Sequence, residues 1–391
     1  MTKVSVFLRS AALNLALLVG ASALALGFGE IVVRVAAPQQ LILIRPDIWR
    51  PVDSLGWAHA PGLDATVNTG DRTVRMVTDS GGFRVGAFGR PPGRYRVLIL
   101  GDSFMAAMQV EYEESLAGLI QRCLAARAGQ TVEVWNTAVS GWDPPQYYLQ
   151  TRRSLSAAPF DLVLVSVFLG NDIVGPDRLL TLPPREPERR RSLRFPRSPA
   201  WSELTDALLA PLNDGLETRS HLFVFLKNRF RLILMRLGLT AVEVPEGLRR
   251  AEAASPRWEV TGALLARIDS AAAARGAATL FALVPSIEEV DPAVLRDRTR
   301  AFRIDSASLD LEQPDRRMAA ELRSRRLPFV SLLEPLRAAQ GRGVPLYGRA
   351  DPHPSTEGHR VMWNALAPEL ARSLRLPYDP RADPDRSCSA P

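Results

Sequence analysis

Five apolar runs of strand length, each broken by a polar turn, constrain this chain more than any other feature. They are Arg96–Leu100, Val132–Trp135, Leu162–Phe168, Thr279–Val284 and Pro328–Leu332. Most are rich in Val, Ile, Leu or Phe with little alternation, the pattern of strands buried on both faces. Stretches with helical spacing lie between them. Ser115–Ala126 ends near Gly129, and Trp258–Ala274 ends at Gly276. Strands alternating with helices predict an α/β fold, a parallel sheet covered by helices. A chain of 391 residues carries enough apolar material for a large core.

The N-terminus predicts export. Lys3 and Arg9 precede a mostly apolar segment, Ala11 to Gly29, interrupted only by Asn14 and Ser22. About 20 apolar residues span a bilayer as a helix, and the flanking positive charges favour a cytoplasmic N-terminus. Small-x-small sites at Ala21-Ser22-Ala23 and Ala23-Leu24-Ala25 leave a cleaved signal peptide open. The apolar run resumes at Ile31-Val32-Val33, which favours an uncleaved transmembrane anchor over residues 1–34. Residues 35–94 read as a linker and a small hairpin, with "TVRMVT" as a strand and "DSGGFR" as its end. The α/β domain is expected over 95–375, with an insertion at 174–257. That insertion holds an exposed Pro/Arg loop at 181–198 and a basic, apolar helix at 221–239. The helix either packs on the core or lies on a membrane surface. The polar, Pro-rich tail, 376–391, is expected to be disordered.

The net charge is +7, from 49 Lys+Arg against 42 Asp+Glu. No helix-turn-helix, zinc-finger spacing or aromatic-rich basic face accompanies it, so no nucleic-acid partner is expected. An anionic membrane or glycan stays open. Cys123 sits in an apolar helical pattern and Cys388 in the tail, so no disulfide framework or CxxC motif arises. Four scattered histidines make no metal-ligand cluster, and no cofactor is implied.

Four polar segments carry the chemistry, each after a predicted strand. They are Gly101-Asp102-Ser103, "NTAVSGWD" with Gly141, "FLGNDI" with Asn171, and "DPHPSTEGH" with Asp351 and His353. Ligands of an open α/β sheet bind outside the carboxyl ends of its strands, so the four converge on one rim. Ser103 at a helix start has an exposed hydroxyl and a free amide, and the helix N-terminus favours developing negative charge. His353 can take its proton while a carboxylate orients the imidazole. The Ser103 amide, the Gly141 amide and the Asn171 side chain can hold an oxyanion, each donor lowering the barrier by roughly 3 to 4 kcal/mol. Gly141 carries no side chain to block that approach. Asp102 is expected to cap the helix beginning near Ser103, and Asp172 to be a structural hydrogen-bonding residue. His359 is expected to be exposed, and His59 and His221 get no functional role. Trp142 lines a substrate pocket or serves as a core lid. No GxSxG motif argues for an ordinary α/β-hydrolase.

The order "GDS", "SGWD", "GND" and a terminal Asp/His segment resembles the SGNH (GDSL-type) hydrolases over roughly residues 72–375. The resemblance implies a flavodoxin-like, three-layer α/β/α domain with a mostly parallel five-stranded sheet. It also implies ester or O-acyl hydrolysis, with Ser103 as nucleophile, His353 as base, and Gly141 and Asn171 as oxyanion donors. The acid usually lies three residues before the histidine. Here that position is Ala350, and Asp351, two before, is the expected acid; a backbone carbonyl orienting His353 is the alternative. Together with the anchor, the resemblance implies an extracytoplasmic esterase acting on O-acyl, above all O-acetyl, groups of envelope or secreted glycans. An O-acyltransferase, a lipase or lysophospholipase, and an idle glycan-binding module remain as alternatives.

Overall fold

The computed structural model describes residues 3–37, 39, 46–69, 71–87, 89–175, 215–216, 219–236, 245–302, 304–349 and 351–376. The loop at 181–198, most of the insertion around it, Cys388 and the tail from 377 lie outside the described residues. The chain forms two compact units, one from Met1–Leu43 and Ser192–Ala241, the other from Ile44–Arg191 and Val242–Pro391.

The larger unit is built on a mixed sheet. Its five parallel strands are β6 (Tyr95–Leu100), β7 (Val132–Asn136), β8 (Leu162–Phe168), β9 (Ala278–Val284) and β10 (Phe329–Ser331). They lie in the order β7-β6-β8-β9-β10, which in chain order is the flavodoxin-like 2-1-3-4-5 arrangement. Val97 sets the register on both sides, opposite Val134 of β7 and Leu162 of β8. Alternate residues of these strands feed opposite layers, as the period-2 geometry of a strand requires. Val97, Ile99, Leu162 and Leu164 pack with Leu116, Ile120, Trp363 and Leu366 on one face. Leu98, Leu100, Val163 and Val165 pack with Tyr147, Trp258, Leu265 and Met318 on the other. Helices Pro144–Ala157, Arg257–Ala273 and Gln313–Ser324 form much of the second layer, and Thr356–Ser373 lies in the first.

The sheet has eight strands rather than the expected five. Beyond β7 it continues through β5 (Arg84–Val85), β4 (Thr73–Thr78) and β3 (Asp64–Asn68), all antiparallel. The cause is legible in the burial: Ala65, Val67, Val74 and Met76 are buried, while Asp64, Thr66, Thr73 and Arg75 face solvent. A strand pair with one apolar face needs a core to cover it, and the edge beside β7 gives access to one. β1 (Trp49–Val52) and β2 (Gly56–His59) form a separate antiparallel pair.

Two expectations about single residues change. His359 is fully buried rather than exposed, and its Nδ1 accepts the Leu116 N–H at 3.3 Å. Burial, with the Arg84 charge, pulls this imidazole down to about 3, so it is neutral in the fold. Cys123 is a core residue and is disulfide-bonded.

In the smaller unit the helix Lys3–Ala36 contains a segment, Ala12–Ala36, long and apolar enough to cross a membrane. A signal sequence passes the same test. The helix His221–Arg236 packs against it. Glu30 accepts from the backbone N–H groups of His221 and Leu222, both at 2.9 Å, and from the Ser220 hydroxyl at 2.7 Å. A carboxylate at a helix start satisfies amides that have no intrahelical acceptor.

Candidate active site

The site begins where β6 ends. Gly101 permits the turn, because a Cβ there would sit 2.7 Å from the Met105 side chain and 3.1 Å from Cβ of Ser166. Asp102 caps the next turn, its Oδ1 accepting the Phe104 N–H at 2.9 Å. That helical turn is only Ser103–Ala106 and stops at Ala107 in the left-handed region, φ 53°. Free amides, rather than the dipole of a long helix, therefore supply the local positive potential. Arg84, fully buried and missed in the sequence, closes the far end. Its guanidinium donates to the carbonyls of Ala106, Ala107 and Val110. Burial lowers its pKa to about 10, which leaves it charged.

Ser103 meets His353 across a sequence separation of 250 residues, and Asp351 stands behind the imidazole. The Ser103 Oγ lies 2.8 Å from His353 Nε2. The other ring nitrogen, Nδ1, is hydrogen-bonded to Asp351 Oδ1. With Asp351 ionised, Nδ1 carries the proton it donates, and Nε2 is left to accept from the serine hydroxyl. Burial works to raise the Asp351 carboxyl, but hydrogen bonds from His353 and Gln109 and the His353 charge hold it below the usual carboxylate range. The Phe104 ring packs on the imidazole at a centroid distance of 5.0 Å and stacks on Phe168 at 3.9 Å.

The loop carrying Asp351 and His353 is pinned from outside. Asp71, between β3 and β4, accepts the Arg349 N–H at 2.8 Å and the Asp351 N–H at 3.0 Å. Gln109 Nε2 donates to Asp351 Oδ2 at 2.9 Å. Neither residue was singled out in the sequence.

The two remaining segments flank the turn. After β7 the Thr137 N–H donates to the Ile99 carbonyl at 3.0 Å and the Val139 N–H to the Gly101 carbonyl at 3.2 Å, which runs residues 137–139 alongside 99–101. Gly141 has φ 81°, in the left-handed region that glycine adopts without strain. A Cβ there would meet Trp57 at 3.2 Å, and Trp57 Nε1 donates to the Ser140 carbonyl at 3.0 Å. Trp142 is buried in the core, its Nε1 donating to the Trp57 carbonyl at 2.8 Å. After β8, Asn171 Nδ2 contacts Asp102 Oδ2 at 3.4 Å. An amide has two N–H donors, so one remains for another acceptor. Asp172 is buried beneath, accepting the Phe168 N–H at 2.8 Å and the Tyr147 hydroxyl at 3.1 Å. Burial and the Asp102 charge raise its carboxyl well above the usual range. Among the described residues, no group of three or more His, Cys, Asp or Glu is placed to hold a metal ion.

A hydroxyl, an imidazole and a carboxylate in unbroken hydrogen-bond contact are the parts of nucleophilic acyl transfer. No protein-family profile matches the sequence, and no curated protein matches it. Solved structures similar to the chain include a lipolytic protein of the G-D-S-L family from Veillonella parvula, 11% identical, TM-score 0.37, covering 71% of this chain and 99% of that one. A catalytic mutant of an acetylxylan esterase from Geobacillus stearothermophilus is 11% identical, TM-score 0.39, covering 73% and 97%. An alpha/beta hydrolase from the metagenome of Lake Arreo is 13% identical, TM-score 0.38, covering 73% and 97%.

Proposed function

We propose that the protein is a serine esterase that hydrolyses O-acyl esters through an acyl-enzyme on Ser103. The observation that carries this reading is the contact series from Ser103 Oγ through both His353 nitrogens to Asp351. Ser103 Oγ attacks the acyl carbonyl carbon as its proton passes to His353 Nε2. The amides of Ser103 and Gly141 and the free N–H of Asn171 hold the oxyanion. Collapse breaks the bond to the alcohol, whose oxygen takes the proton from His353. Water then attacks the acyl carbon, gives its proton to His353, and Ser103 leaves with that proton restored. Asp351 stays ionised and stabilises the imidazolium, holding its orientation.

The substrate class follows from place. One apolar N-terminal helix, long enough to cross a membrane, fits an extracytoplasmic compartment. The substrates proposed on that ground are O-acetyl groups on envelope or secreted glycans. The test is hydrolysis of p-nitrophenyl acetate and longer p-nitrophenyl esters by the full chain in detergent. Ser103→Ala should abolish turnover, and Asn171→Ala should lower kcat by about 100-fold or more. A rate that rises with chain length would replace the deacetylase with a lipase. Turnover unchanged in Ser103→Ala would reject the mechanism.

A further inference from the structure

The segment before the first parallel strand reaches the reacting groups at three points. Trp57 of β2 holds the Ser140–Gly141 turn, Arg84 of β5 holds the loop behind Ser103, and Asp71 holds the loop of Asp351 and His353. The best defined of these paths converges on Asp351. Its backbone N–H is fixed by Asp71, and its Oδ2 is fixed by Gln109, leaving Oδ1 for the imidazole. Gln109 is itself buried in the stretch whose carbonyls, at Ala106, Ala107 and Val110, Arg84 gathers. Only the nitrogen of a glutamine amide can donate to an ionised carboxylate, so the contact also fixes which way the amide faces.

We propose that Gln109 and Asp71 are positioning residues for Asp351, so that the β3–β4 hairpin belongs to the catalytic unit. The proposal rests on the esterase reading. Gln109 sets the rotation of the carboxylate, and Asp71 sets the height of its backbone. Together they hold Oδ1 on His353 Nδ1 while the imidazole gains and loses its proton. A carboxylate free to turn would let the imidazole leave the line to Ser103, and misplacement by about 1 Å can cost on the order of 100-fold in rate. Neither side chain touches the ester, so both should act on kcat and spare KM.

The experiment is a mutant cycle on the full chain in detergent, with p-nitrophenyl acetate as substrate and fluorophosphonate labelling as a check on Ser103. Gln109→Leu and Asp71→Asn should each lower kcat by about tenfold or more with KM within about twofold. In an Asp351→Asn background the Gln109 substitution should cost nothing further, because the group it acts through is already disabled. Gln109→Met keeps the volume and separates packing from hydrogen bonding if Gln109→Leu melts early. A folded Gln109 variant with wild-type kcat, or a loss of equal size in the Asp351→Asn background, would overturn the proposal. A wild-type chain that neither turns over ester nor takes the label would instead remove the esterase reading, and this role with it.

Discussion

At the scale of single residues, environment decides which carboxylate does what. Asp351 is partly buried, yet its donors keep it ionised. Glu289 is buried, its Oε2 accepting the Ser286 N–H at 2.7 Å, and burial, with the nearby Asp315 and Glu288 charges, raises its pKa to about 8. The native state therefore holds a proton that the unfolded chain releases above about pH 4.5. The stability from this group is complete below that pH and is lost as the pH rises through about 8. Glutamine keeps the capping contact without a charge. Glu289→Gln should thus match the wild type in urea melts at pH 4.5, and at pH 8.5 exceed it by an amount on the order of 2–4 kcal/mol. An equal difference at both pH values would show that Glu289 does not titrate in this window.

At the scale of elements, the glycine turn after β7 links shape to chemistry. Gly141→Ala puts a methyl at φ 81° and 3.2 Å from the Trp57 ring. The left-handed backbone alone costs roughly 1–2 kcal/mol. Its amide should also shift, so the variant should lose tenfold or more in kcat/KM while remaining folded in thermal melts. The five parallel strands were legible in the sequence, because strands buried on both faces read as unbroken apolar runs and Gly129 and Gly276 mark the helix ends. β4 was legible as a hairpin strand from the alternation of "TVRMVT", whereas β3 was not singled out. Their place on the sheet was not legible, since antiparallel pairing with an edge is decided by a partner strand far along the chain. The burial of His359 escaped for a related reason: its partner is the Leu116 amide, 243 residues away. Ser103, Gly141, Asn171, Asp351 and His353 could be picked out because each follows a strand end. Asp71, Arg84 and Gln109 could not, because turn and core positions carry no chemical signature.

At the scale of the molecule, the sheet extension lies in the same compact unit as the five parallel strands, Ile44–Arg191 with Val242–Pro391. A chain beginning at 95 keeps every residue of the proposed reaction but loses β3, β4 and β5, uncovering the edge of β7. Such a chain should be insoluble or inactive, whereas one beginning at 44 should retain ester turnover; equal activity of the two would show that the extension is dispensable. The central claim is that four loops from distant parts of the sequence deliver one activated serine. Reaction of the full chain with a fluorophosphonate, read by peptide mass spectrometry, tests it most directly. The account predicts one phosphonylated residue, Ser103, with labelling slowed by about 100-fold or more in His353→Ala. A folded protein that takes no label, or takes it equally with His353 removed, would contradict it.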